Sequence, residues 1–350
     1  MASKPAIHPP SSTIHSRFVL LAGPTAVGKS QIALQLAERV SGEIISVDSM
    51  QVYRGLDIGT AKPSPADRAR VPHHLIDICD LTESFDAAQF ARLAHRAVAE
   101  IQSRGHVPIF CGGTGLYLKA FLEGLGEAPS ADAKLRAELE ATPMETLLEE
   151  LRERDPVTFE KIDKKNPRRV IRAVEVIRLT GSPFSAQQSR WGERPREPKV
   201  GSSRCDDIDG PPQGAAQPVL RSSTAEGGRA VPTKMNSFCL TRSSDDMRRR
   251  IGARVDAMFA QGLVAETREL LKNGLEQNKT AMQAIGYRQV VEHLRGERTL
   301  AETIELVKIK TRQFAKRQLT WFRAQKKTDW IELKPDESLG IAVRKICRTI

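Results

Sequence analysis

The chain is short of cysteine and of long apolar runs. Its five cysteines, Cys79, Cys111, Cys205, Cys239 and Cys347, are an odd set with no C-x-x-C pair. This argues against a disulfide framework or a zinc site and for a reducing, cytoplasmic setting. No stretch approaches the ~20 apolar residues that span a bilayer, so no membrane partner is expected. The first residues, MASKPAIHPPSSTIHSR, contain no apolar core and therefore no secretory signal. They are acid-free and Ser-rich, as transit peptides are, but 1–16 reads as a short disordered tail. Internal repeats are absent as well.

What the chain does have is length and positive charge. Its 350 residues suffice for two domains, or one with a large insertion, and 40% hydrophobic residues supply a core. A net charge of +11 favours a polyanionic partner, although solubility alone also accounts for it.

The stretch LAGPTAVGKS follows an apolar run, Phe18 to Ala22, and precedes the helix-like QIALQLAERV. Gly23, Pro24, Thr25, Ala26, Val27, Gly28, Lys29 and Ser30 form a glycine-rich phosphate loop in its required strand-to-helix context. Glycines let backbone amides close round phosphate oxygens, and the helix start adds its positive end. Lys29 supplies a mobile charge, and the Ser30 hydroxyl is placed for Mg²⁺. The pattern is that of a nucleotide-binding loop, yet it specifies only a diphosphate or triphosphate.

From Phe18 to about Leu122 strands and helices alternate, with FVLLAG, GEIISVD and HVPIFCGG as strands. That pattern predicts a P-loop NTPase-like parallel α/β core, here assigned to 17–125 and 234–335. Residues 126–190 read as a helical insertion. In NPRRVIRAVEVIRLTG, Asn166 can cap, Pro167 suits the first turn and Gly181 ends the helix. Residues 191–233 are rich in Gly, Pro, Ser and charge, and read as a disordered loop. SFCLTR resumes the sheet and helices follow to about Gln325; TDWIELKPDESLGIAVRKICRTI then reads as one short strand and a weak final helix, with 336–350 assigned as a C-terminal tail.

Ligands in such sheets sit beyond the carboxyl ends of the strands. Asp48 falls at one such end, where a carboxylate can accept a proton from a nucleophile near bound phosphate. It could also simply cap the next turn. Ser49, Gln51 and Tyr53 offer groups suited to a base edge. His73 and His74 alternate in an extended segment, so they point apart and make a poor metal pair. LIDICD imitates a Walker B strand ending at Asp77, but its hydrophobic run is too short for that role. CGGTGLY, Cys111 to Tyr117, is a glycine turn opening a helix, ordinary if it stood alone. In KIKTRQFAKRQLTWFR, Arg312, Lys316 and Arg323 share one helical face, Trp321 lies within the same helix, and Lys326 and Lys327 follow. With Arg168, Arg169 and Arg172 on the insertion, two basic clusters could bracket a nucleic-acid backbone.

Taken together, GPTAVGKS, IISVDSMQVYRGLDIGTAKP, VPHHLID, GGTGLYLKAFLEGL, NPRRVIRAVEV, AIGYRQ and KRQLTWFR resemble the tRNA dimethylallyltransferases (isopentenyl transferases) from about Phe18 to Trp330. The resemblance implies a dimethylallyl diphosphate donor and, as acceptor, the exocyclic amine of the adenosine 3′ to the anticodon, extruded from its loop. Asp48 would be the base, with Lys29 and Arg254 on the leaving diphosphate and Mg²⁺ at Ser30. The loop from Thr25 to Ser30 would hold the donor. The tRNA anticodon stem-loop would be contacted by Asp48, Ser49, Met50, Gln51, Thr114 and Arg136. Further contacts would come from Arg168, Arg169, Val170, Ile171, Arg172, Gln283, Ala284, Ile285, Gly286, Tyr287 and Arg288, and from Lys316, Arg317, Gln318, Trp321 and Arg323. The 191–233 segment is longer than the family implies. Cys347 stands alone, so the zinc finger of some eukaryotic relatives is not expected and a bacterial type is. A monomer is the default. Three rivals are a small-molecule kinase, an enzyme prenylating free adenine nucleotide, and a non-catalytic RNA-binding module.

Overall fold

The computed structural model describes residues 18–124, 129, 132–189, 236–325, 328–335 and 337–350. The expected tail at 1–16, the segment 191–233 and the pair Lys326–Lys327 lie outside them. The chain divides into two compact units, one of Met1–Gly124 with Val231–Ile350 and one of Leu125–Ala230.

The first unit opens with strand β1 (Val19–Ala22), helix α1 (Lys29–Val40), strand β2 (Gly42–Val47), helix α2 (Pro65–Arg70) and strand β3 (His73–His74). Helix α3 (Ala87–Ser103), strand β4 (Val107–Gly112) and helix α4 (Gly115–Glu123) complete its N-terminal part. The insertion holds α5 (Ala133–Ala141), α6 (Met144–Arg154), α7 (Pro156–Lys161), α8 (Pro167–Thr180) and α9 (Phe184–Ser189). The first unit resumes with β5 (Asn236–Thr241), α10 (Ser244–Ala260), α11 (Leu263–Lys272), α12 (Tyr287–Leu294) and α13 (Leu300–Arg323). It ends with β6 (Asp329–Glu332) and α14 (Leu339–Cys347).

The six strands form one parallel sheet in the order β3-β2-β4-β1-β5-β6. A parallel sheet covered on both faces needs apolar side chains on both. Val19 and Leu21 join Ile109 in one core cluster with α1, while Phe18 meets Phe110 and Phe121 edge-on or tilted on the other face. The register sets Ala22 beside both Gly112 and Cys239, and Val47 beside Gly112. Gly23, Asp48, Gly113 and Arg242 therefore leave the sheet at the same edge.

At the start of β2, Glu43 is buried and takes hydrogen bonds from Arg104, His74 and His106. Burial favours its neutral form, but those three partners prevail and hold its carboxyl down at about 2. His74 thus looks to Glu43 while His73 Nδ1 donates to Val71 O at 2.7 Å, so the two histidines serve separate structural roles.

The short strand and final helix read at the C-terminus are β6 and α14, and the stretch assigned as a tail, 336–350, packs into the core through that helix. Ala342, Val343 and Ile346 of α14 are buried in the same cluster as Ile32, Ala33 and Leu36 of α1. Their i, i+1, i+4 spacing makes an apolar stripe, too short to stand out by periodicity alone.

The insertion has its own core of Leu139, Leu147, Leu151, Phe159, Val170, Ala173, Val174 and Ile177. Its helix ends follow from local chemistry. Asp132, Asp155 and Asn166 accept the amides of Leu135, Thr158 and Arg169, and Gly181 closes α8 in the left-handed region at φ 69°.

Candidate active site

The loop between β1 and α1 owes its shape to glycine. Gly23 has φ 141°, and a Cβ there would lie 2.7 Å from Leu240 O. Gly28, the N-cap of α1, sits at φ 111°, and Ala26 at φ 63°. The first amides of α1 lack intrahelical acceptors and face no capping side chain, which suits an anion. Cations take the loop carbonyls instead. Lys29 Nζ donates to Gly23 O (2.9 Å) and Pro24 O (2.8 Å). Arg250 Nε donates to Ala26 O and Arg242 Nε to Val27 O, both at 2.9 Å. Burial pushes the Lys29 ammonium down to about 8; nearby Arg254 acts in the same direction and Asp48 opposes it.

Asp48 caps the turn that follows β2. Its Oδ1 accepts Met50 N (2.8 Å) and Gln51 N (3.3 Å), capping the turn. Its other oxygen takes no hydrogen bond among the described residues. Asp48 lines a cleft with Thr25, Lys29, Ser30, Gln51, Arg254 and Gln318. Arg254 reaches it from α10 with no hydrogen-bond partner among the described residues. Burial lowers its pKa and Asp48 opposes that shift. A half-buried guanidinium with no partner among the described residues is costly unless an anion is to arrive. Arg254 also lines an adjoining cavity of about 640 Å³ with Ile58, Lys62 and Met258.

Gln318 ties two sides of the cleft together. Its Oε1 accepts Thr25 N at 2.8 Å and its Nε2 donates to Gly113 O at 3.1 Å. Gly113 has no room for a side chain, since a Cβ would lie 2.1 Å from that nitrogen. Gly115 is pressed against the Trp321 ring in the same way, at 2.4 Å. The glycine turn therefore serves packing against α13. Thr114 Oγ1 accepts Ser49 N at 3.3 Å. Gln51 accepts the Ser46 hydroxyl at 2.9 Å and donates to Thr60 O at 3.1 Å.

Several residues expected on a tRNA-facing surface lie elsewhere. Tyr53 and Tyr287 are fully buried, as is Val170 in the insertion core. Ala284, Gly286 and Gln318 are buried and Ile285 is half-buried against the core. Tyr287 holds the loop after Tyr53: its hydroxyl accepts Gly59 N at 3.1 Å and donates to Glu266, which also accepts Ile58 N. AIGYRQ is thus a packing motif with Gln283 and Arg288 exposed at its ends. In the insertion, Arg136 and Arg172 both bind the buried Glu175, at 2.6 Å each, so these guanidinia have a structural partner. Ile171 is half-buried, whereas Arg168 and Arg169 are exposed. On α13, Lys316, Arg317 and Arg323 are exposed, Arg312 and Trp321 are half-buried, and Ala315 and Phe322 face the core. Asp77 is bound by Lys62 and Arg68 and lies outside the cleft that holds Lys29.

Arg242, Arg250, Glu266 and Lys62 were not singled out by sequence. Each acts on backbone far away along the chain or on a loop, and no local pattern marks it.

The family model for IPP transferase matches residues 51–325. The chain belongs to the IPP transferase family. Among curated IPP transferase relatives, a tRNA dimethylallyltransferase 1 of Trichlorobacter lovleyi is 43% identical over 329 residues, covering 93% of this chain and 96% of the relative. The tRNA dimethylallyltransferase of Halorhodospira halophila is 44% identical, covering 92% and 94%. The crystal structure of full-length tRNA isopentenylpyrophosphate transferase from Bacillus halodurans superposes with TM-score 0.63 at 36% identity, covering 95% of each chain. A eukaryotic dimethylallyltransferase acting on tRNA gives TM-score 0.69 at 26% identity over 91% of this chain and 74% of its own.

Proposed function

We propose that the chain transfers a dimethylallyl group from dimethylallyl diphosphate to the exocyclic amine of the adenosine 3′ to the anticodon of tRNA. The observation that carries this is the meeting, in one cleft, of the phosphate loop, an unpaired Arg254 and Asp48 with an open carboxylate oxygen. The amine nitrogen bonds to the allylic carbon as the carbon–oxygen bond to diphosphate breaks. Asp48 takes the amine proton, and the diphosphate leaves with the bonding pair. Lys29, Arg254 and the loop amides meet the charge that develops on it.

Among the described residues no group of three or more His, Cys, Asp or Glu could hold a metal ion. That donor set fits a Mg²⁺ held chiefly by phosphate oxygens and water, with the exposed Ser30 hydroxyl as protein ligand. Bound there, Mg²⁺ would supply further neutralisation of the leaving group. Exposed Lys316, Arg317 and Arg323 on the first unit, and Arg168 and Arg169 on the insertion, suit a polyanionic stem-loop. The unpaired cysteines among the described residues support a cytoplasmic setting, and no helix there is long and apolar enough to cross a membrane.

A kinase reading lacks its metal-binding acid, because Asp77 is occupied by Lys62 and Arg68. Labelled dimethylallyl diphosphate offered with stem-loop, with AMP or alone, and ATP offered in parallel, separates the alternatives. Label on the stem-loop only, without ATP, is expected. ATP turnover without a prenyl donor would restore the kinase.

A further inference from the structure

The phosphate loop has two kinds of cationic support, and they differ in what happens when an anion arrives. Lys29 holds Gly23 O and Pro24 O in the structure, and its ammonium, with one N–H left over, can turn from them towards a phosphate. Arg242 and Arg250 hold Val27 O and Ala26 O, and neither lines the cleft. Neither contact has to break for a phosphate to enter the cleft.

A trans peptide sets its C=O and N–H antiparallel. Fixing Val27 O on Arg242 therefore turns Gly28 N–H away from that arginine, and this amide has no partner among the described residues. Fixing Ala26 O on Arg250 turns Val27 N–H the other way, where its partner among the described residues is Pro24 O at a long 3.4 Å. Ala26 itself sits at φ 63°, a conformation that persists for a non-glycine residue only when its surroundings enforce it. Arg242 is anchored in turn by the buried Asp246 at 2.8 Å. Arg250 uses its Nε on the loop from the turn of α10 preceding Arg254.

We propose that Arg250 and Arg242 are positioning residues for the prenyl donor: they fix the Ala26 and Val27 peptides so that the loop keeps its amides available to the diphosphate when Lys29 leaves its carbonyls. This rests on reading the loop as a diphosphate site.

Arg250 carries the test, because Arg242 belongs to a buried ion pair whose loss would unsettle the fold. Inorganic diphosphate is titrated into the full-length wild type, Arg250→Ala and Arg250→Lys, with stem-loop affinity and melting temperature measured on the same preparations. The Kd for diphosphate should rise about tenfold in the Ala variant, the scale of one charge-assisted hydrogen bond. It should rise less in the Lys variant, which keeps a cationic donor. Donor KM should follow Kd while kcat stays within about threefold, and stem-loop affinity should hold. Unchanged diphosphate binding in Arg250→Ala overturns the proposal. So does an equal loss of diphosphate and stem-loop affinity with a large fall in melting temperature, which marks a purely structural arginine. Failure of the wild type to bind diphosphate at all would instead sink the reading of the loop.

Discussion

The cleft and the helical insertion handle charge in opposite ways. In the insertion, the buried charge among the described residues is partnered. Glu175 is fully buried and takes Arg136 and Arg172, while Arg178 takes Glu138 and Glu150. In the cleft, Arg254 is left without a partner, Lys29 is spent on carbonyls it can release, and Asp48 keeps one oxygen open. Paired charges specify a shape. Charges held ready and unpaired cost stability and are kept for a ligand. Under the proposed function, chemistry falls to the first unit and presentation of a surface to the insertion.

That division can be broken experimentally. The largest effect is expected for Asp48→Asn, which keeps the turn-capping oxygen and removes the proton acceptor. Turnover should fall by about 10²–10⁴, with donor and stem-loop affinities nearly unchanged; near-normal turnover would remove Asp48 from the mechanism. Next is Glu175→Gln, which leaves two guanidinia facing a neutral amide in a buried position. The two arginine side chains are 40% and 30% exposed, so water takes up part of their charge and the cost should be about 1–3 kcal/mol; chemical denaturation should show the insertion melting early while inorganic diphosphate binds as before. Weakened diphosphate binding with the insertion intact would contradict the division.

A smaller effect should appear with pH. Lys29 is pushed down to about 8 by burial, so it is cationic below that pH and neutral above it. Log(kcat/KM) for the donor should therefore fall as pH rises through about 8, approaching one unit per pH unit. In Lys29→Arg, which stays charged, that limb should vanish even though the longer side chain lowers the rate throughout. Persistence of the same limb in the arginine variant would assign it to another group.

What could be read from sequence follows the same boundary. Strand positions, the phosphate loop and the ends of α8 are local: Asn166, Pro167 and Gly181 state their roles within one helix. The sheet edge that gathers Gly23, Asp48 and Gly113 also follows from strand order once the strands are seen. The links that finish the cleft join residues more than two hundred positions apart, such as Thr25 with Gln318, Ala26 with Arg250 and Gly59 with Tyr287. No periodicity or spacing encodes those pairs. Tyr287 and Val170 show the resulting error in its plainest form. Each belongs to a motif of the family, and each is buried rather than presented. Motif membership marks a residue as needed without saying whether it touches the ligand or holds what does.

The central claim is that one cleft joins an allylic diphosphate to a specific tRNA adenosine. Its most direct test is nucleoside mass mapping of an anticodon stem-loop after incubation with the full-length protein, dimethylallyl diphosphate and Mg²⁺, with ATP absent. The account predicts a single dimethylallyl adduct, on the adenosine 3′ to the anticodon, that disappears with Asp48→Asn. An adduct that requires ATP, that forms on free AMP as readily as on the stem-loop, or that survives intact in the Asp48 variant would contradict it.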